Sequence, residues 1–162
     1  MRKLRNSGFA AIACLLWLSG CGTSDEVGDA NTSGLIVEDE ALRSAAIDFI
    51  ANAGDRVYFA YDSSSLSGEA KSVLARQVEW LQKHPERRVL IEGHCDERGT
   101  REYNLGLGER RADAAARYLT DHISGERIRT ISYGKDRPVA AAGSQEEIHK
   151  LNRVAISVLE KN

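Results

Sequence analysis

The chain has 162 residues, of which 42% are apolar and 28% charged, the length of one domain with tails and enough apolar content to bury a core. Three Cys and two Pro exclude a disulfide-built scaffold and a collagen-like rod. A formal net charge of −2 argues against a protein that holds nucleic acid by bulk positive charge, and the length argues against a two-domain enzyme.

Arg2, Lys3 and Arg5 precede an apolar run over residues 9–18 that closes in Ser19 and Gly20, the pattern of a secretory signal over residues 1–20. The run is shorter than the roughly 20 apolar residues a membrane-spanning helix needs. Leu18-Ser19-Gly20-Cys21 resembles the bacterial lipobox, which implies cleavage before Cys21 and a covalent lipid on its thiol. In such lipoproteins an Asp after the Cys favours the inner membrane; Gly22 therefore implies the outer membrane, with the domain in the periplasm. Two or more acyl chains anchor stably because each buried CH₂ contributes about 0.8 kcal/mol. Loss of the signal takes the formal charge from −2 to −5, and Cys95 is left as the sole free thiol, so no intrachain disulfide is available.

Residues 22–34 are mostly Gly, Ser, Thr, Asp, Asn and Glu, too polar to offset the entropy of ordering. The lipidated N-terminus and flexible tether are accordingly assigned to residues 21–46 and the globular domain to 47–162. Glu38-Asp39-Glu40 reads as a solvated face or a helix start. Alternation of Ile47, Phe49 and Ala51, a turn signal at Gly54-Asp55, and alternation again at Val57 and Phe59 predict a hairpin. Ala70, Val73, Leu74, Val78 and Leu81 recur at helical spacing and predict an amphipathic helix over 67–84, closed by Pro85.

Residues 88–93 read as a strand, and Ala112, Ala115, Ala116, Leu119 and Ile123 mark one face of a second long helix over 103–122. A further strand suits 127–133. Ser144 and Glu147 have the spacing of a capping box that opens a short third helix. Val154 to Leu159 are apolar with one Ser, predicting a last strand covered on both faces. The expected fold is α/β (α+β), a two-layer sandwich with helices packed on a small mixed sheet.

The densest polar stretch, residues 93–115, begins where a strand ends and runs into a helix, a place that favours ligand sites in α/β sheets. Asp96 falls in the loop, Gly99 lets the chain turn, and Arg111 lies inside the helix. Such a pair suits a zwitterion, with Asp96 accepting from an ammonium and the planar fork of Arg111 receiving a carboxylate through two parallel bonds. The spacing alone equally admits a plain salt bridge between the two, or solvation of each.

The stretch resembles the OmpA-like peptidoglycan-binding domain in Gly93, Asp96, Gly99, Tyr103-Asn104, Leu107 and Arg110-Arg111-Ala112, and the resemblance extends over residues 57–67 and 132–139. It covers roughly residues 55–160. With the lipobox and tether, the chain is similar to the lipoproteins of that family that serve the Tol-Pal envelope system. The resemblance implies non-covalent binding of peptidoglycan through the diaminopimelate of its stem peptide. It places Asp96 and Arg111 on the two charged ends, Asn104 in support, and Phe59 to Asp62 as the opposite wall; Gly99, Tyr103 and Leu107 complete the ligand-binding set. It further implies a TolB-like periplasmic partner, no catalysis, and no cofactor beyond the lipid on Cys21. Leu151-Asn152-Arg153 departs from the pattern, standing where the family has Asn-Arg-Arg.

His94-Cys95-Asp96 invites a competing reading as a thiol- or metal-dependent periplasmic enzyme. Consecutive strand residues point to opposite faces, so His94 and Cys95 do not readily share a metal. Cys95 is expected as a packed thiol and His94 as a structural hydrogen-bonding residue. Of His84, His122 and His149, the first two suit helix C-termini. A generic envelope tether outside Tol-Pal is the other alternative.

Overall fold

The computed structural model describes residues 30–161, with side chains from Glu40 onward. The secretory signal, the lipobox and the first part of the tether lie outside these residues. The order is α1 (Ala30–Asn52), β1 (Arg56–Tyr58), α2 (Gly68–Lys83), β2 (Arg88–His94), α3 (Arg101–Thr120), β3 (Ile128–Gly134), α4 (Gln145–Asn152) and β4 (Val154–Glu160). Among the described residues no helix is long and apolar enough to cross a membrane.

The first arm of the expected hairpin is instead the end of a helix. α1 runs from Ala30 through the stretch assigned to the tether and on to Asn52. Leu42, Ala45, Ala46, Phe49 and Ala53 face the core, a spacing of three, one, three and four, whereas Ile47 is 63% exposed. The two-residue alternation at 47–51 was a coincidence within a helical period. Two contacts fix this helix to α2: Trp80 Nε1 donates to Asp48 Oδ2 at 2.6 Å, and the Phe49 and Trp80 rings meet edge to face at 5.0 Å.

The other helices form where local chemistry asks for them. Ser67 caps α2 by accepting from the Ala70 N–H, and Thr100 caps α3 by accepting from that of Tyr103. Ser144 and Glu147 close the reciprocal capping box of α4.

The four strands make one mixed sheet in the order β1-β4-β2-β3. β2 and β3 are parallel, joined through α3, while β4 runs antiparallel between β1 and β2. Leu74, Leu81, Ala112, Ala115 and Leu119 from α2 and α3 pack on Val57, Val89, Ile91, Ala155 and Leu159 of the sheet. One polar pair sits inside this layer: Gln77, fully buried, donates to the Gly54 carbonyl and accepts from Ser157 Oγ at 2.9 Å. The other face of the sheet is only partly covered. Val158 is 40% exposed, which corrects the expectation that β4 is covered on both sides; its alternate residues Ala155, Ser157 and Leu159 carry the burial.

This topology decides where a site can form. Tyr58 lies opposite Val154 and Gly93 opposite Ala155, so the carboxyl ends of β1 and β2 meet at the start of β4. The loops after β1 and β2 and the residue before β4 therefore gather at one end.

α3 descends onto the sheet there because two glycines allow it. A Cβ on Gly93 would stand 1.9 Å from the Gly108 carbonyl oxygen, a backbone atom that cannot step aside. Gly93→Ala should lower the unfolding free energy in urea by about 3 kcal/mol, the upper end for overpacking. Gly106 on the same helix would meet only the end of the Arg110 side chain at 3.4 Å. Gly106→Ala should raise stability by about 0.5–1 kcal/mol through helix propensity alone. A neutral Gly93→Ala would contradict the close approach of α3 to β2.

Candidate functional site

At the carboxyl end of β2 lies a cleft of about 400 Å³, counting its open mouth. Asp96, Arg111, Asn104, Asp62, Gly99, Tyr103 and Leu107 line it, together with Tyr61, Cys95 and Arg98. Phe59 alone of the expected ligand-binding residues within the described chain does not line it. Its ring is buried beneath, 5.3 Å from the Arg111 guanidinium. Cys21 lies outside the described residues. A larger groove of about 860 Å³ runs between Tyr58, Glu69, Glu147, Lys150 and Leu151, but no charged side chain is buried in it.

Arg111 is 1% exposed, and its bonds explain how a cation survives there. Nε donates to the Ser63 carbonyl at 2.9 Å, Nη1 to the His94 carbonyl at 2.8 Å and to Cys95 Sγ at 3.3 Å, and Nη2 to the Ala60 carbonyl at 3.2 Å. Four of five N–H groups are used, holding the loop after β1 against the end of β2. The fork is thus largely committed to the protein's own backbone, and one N–H of Nη2 is left for a ligand. Burial pushes the guanidinium below its ordinary value, with Cys95 and Asp96 acting the other way.

Asp96 and Arg111 do not pair with each other. Asp96 is 5% exposed and takes its bonds from Arg98 and Arg153. Arg153 also donates from Nε to the Phe59 carbonyl at 3.0 Å, tying both loops to the start of β4. The segment 151–153, read from sequence as a departure, therefore carries a guanidinium into the site, while buried Asn152 accepts the N–H groups of Val139 and Ala140.

Asn104, buried, donates from Nδ2 to the Arg98 carbonyl at 2.7 Å and the Thr100 carbonyl at 3.0 Å. It locks the loop around Gly99, whose φ of +89° needs no Cβ. Lys135 Nζ reaches the Gly99 carbonyl at 2.6 Å from the other side. Tyr103 donates its hydroxyl to Asp62, joining the first turn of α3 to the opposite wall.

His94 and Cys95 serve different neighbours. His94 Nδ1 faces the Arg137 carbonyl at 2.9 Å, whereas Cys95 Sγ donates to the Asn104 carbonyl and lines the cleft. Burial pushes the Cys95 thiol up, outweighing the Arg111 charge, the reverse of an activated nucleophile. Among the described residues no three His, Cys, Asp or Glu side chains are grouped to hold a metal.

Arg98, Arg153 and Cys95 take part in the site without being among the ligand-binding residues expected from sequence. Arg98 lies inside the motif at a position the family pattern leaves open. Arg153 carries two legible signals, its alignment with the last Arg of the family's Asn-Arg-Arg and its place directly before the last strand.

Burial by itself would raise the Asp96 pKa; the hydrogen bonds from the Arg98 side chain and backbone, the Arg98 charge and the Arg153 bond outweigh it and hold the carboxyl below its ordinary value. The folded value is below the unfolded one, so the stabilisation is complete above the unfolded value, about 3.9, and is lost as pH falls through the folded value. Urea unfolding of the wild type should weaken below about pH 4. Asp96→Asn should flatten that limb of the profile, and an identical acid limb in the variant would contradict this account of Asp96.

The OmpA family model matches residues 58–152. The peptidoglycan-associated lipoprotein of Rhizobium meliloti is 44% identical over 157 residues, covering 96% of this chain and 88% of the relative. That of Mesorhizobium japonicum is 44% identical over 137 residues, covering 84% and 82%. The crystal structure of the peptidoglycan-associated lipoprotein from Burkholderia pseudomallei matches with a TM-score of 0.61 at 37% identity, over 65% of this chain and 90% of that one. With four α-helices and a mixed four-stranded sheet among its described residues, the chain belongs to the OmpA family and groups with the peptidoglycan-associated lipoproteins.

Proposed function

We propose that this protein is an outer-membrane lipoprotein, acylated at Cys21, whose periplasmic domain binds peptidoglycan non-covalently and links membrane to wall within the Tol-Pal system. The observation that carries the reading is one cleft lined by both a buried carboxylate and a buried guanidinium that are not paired with each other. Diaminopimelate in a stem peptide ends in an ammonium and a carboxylate on one carbon. Asp96 accepts from the ammonium, and the remaining Nη2 N–H and full charge of Arg111 meet the carboxylate. Asn104, Gly99 and Tyr103 hold the walls, and Leu107 lines the cleft beneath the aliphatic chain. The proposed role is one of binding, without catalysis. A TolB-like periplasmic protein is the partner this role implies.

Weak single sites suffice for such a link. The sacculus is one polymer with many stem peptides, so after a first contact the next ones form at high effective concentration.

Asp96→Ala should weaken co-sedimentation with purified sacculi by about 1.5–3 kcal/mol, the worth of a hydrogen bond to a charged group. Unchanged co-sedimentation would remove Asp96 from the site. Cys21→Ser should abolish incorporation of labelled palmitate and release the protein from the membrane fraction; label retained in that variant would overturn the lipid assignment.

A further inference from the structure

The carboxylate that should receive an ammonium is already occupied. Arg98 donates from Nε to Asp96 Oδ1 at 3.2 Å, from Nη2 to Oδ2 at 2.5 Å, and from its backbone N–H to Oδ1 at 3.2 Å. Its guanidinium also lies over the Tyr61 ring, 4.0 Å from the centroid. With Arg153 Nη1 at 3.5 Å from Oδ2, each Asp96 oxygen has two donors. A carboxylate offers about four acceptor sites, so a ligand ammonium cannot be added to this arrangement; it must replace a donor.

Which donor yields is set by burial and tethering. The Arg153 side chain is 16% exposed and is held by its Nε bond to the Phe59 carbonyl. The Arg98 side chain is 39% exposed and has solvent beside it. We propose that Arg98 is an internal competitor for the ligand ammonium: it fills the cationic seat on Asp96 in the free protein and swings out when the ligand's ammonium enters. This inference rests on the proposed function. It assigns Arg98 the setting of selectivity, because only a ligand bearing the amine has to break the Arg98–Asp96 pair. A carboxylate-only ligand can approach Arg111 with the pair intact. The exchange swaps one cation for another on Asp96, so the carboxylate keeps a cationic partner before and after and never stands buried alone.

The test compares two probes on the full-length lipoprotein in detergent micelles by calorimetry. One is a stem peptide containing diaminopimelate; the other is the same peptide with the side-chain amine replaced by hydrogen. The wild type should prefer the amine-bearing peptide, and Arg98→Ala and Arg98→Gln should widen that preference about three- to tenfold, the range between exposed and charge-assisted pairs. The ratio cancels any contact Arg98 makes with both peptides. Independently of any variant, the Arg98 Nε–H resonance of the wild type should shift on saturation with the first peptide and stay in place with the second. An unwidened preference, or an Arg98 signal unmoved at saturation, overturns the competitor while the proposed function stands. A wild type that binds neither peptide, or shows no preference for the amine, overturns the proposed function and the competitor with it.

Discussion

A buried arginine that never meets a buried acid is the constraint on which this site depends. Taking a guanidinium out of water costs several kcal/mol unless its donors are satisfied. Arg111 satisfies four of them on one loop, one strand end and a thiol: Ala60 and Ser63 from the loop after β1, His94 at the end of β2, and Cys95. The two walls of the cleft are therefore held at a fixed separation by the same cation that lines it. Gly93 and Gly108 set how deeply α3 sits, and so whether the Arg111 stem reaches those carbonyls. Asn104 and Lys135 fix the third wall through the backbone of residues 97–100.

A preformed site of this kind spends little ordering entropy on binding, since walls and charges are in place beforehand. What it does require is an exchange of cations on Asp96. Affinity at one site is thereby limited, which suits a link made of many reversible contacts rather than one permanent bond. The peptidoglycan-associated lipoprotein of Rhizobium meliloti aligns with 96% of the chain, and the described cleft lies inside the region matched by the family model.

Much of this was legible in the sequence, and the parts that were not have physical reasons. α2 and α3 announce themselves through helical spacing and α4 through the capping box of Ser144 and Glu147, all local properties of the sequence; the Thr100 cap, which starts α3 at Arg101 rather than 103, lies outside the apolar pattern. Asp96 and Arg111 are readable because strand, loop and helix follow one another directly, so sequence distance translates into a shared cleft. Arg153 is not readable that way: its position depends on β4 entering between β1 and β2, a long-range pairing. The end of α1 is not legible because Ile47, Phe49 and Ala51 satisfy a period of two, while contacts with Trp80 reveal which residues turn inward. The commitment of Arg111 to backbone carbonyls likewise has no signature in residue types.

The most direct measurement is a crystal structure of the domain bound to a stem peptide containing diaminopimelate. The account predicts the side-chain ammonium within hydrogen-bond distance of Asp96, the adjoining carboxylate at Arg111, and the contacts of Arg111 to Ala60, Ser63 and His94 unchanged. A peptide seated in the groove beside Tyr58 and Leu151, with the charged cleft empty, would contradict it.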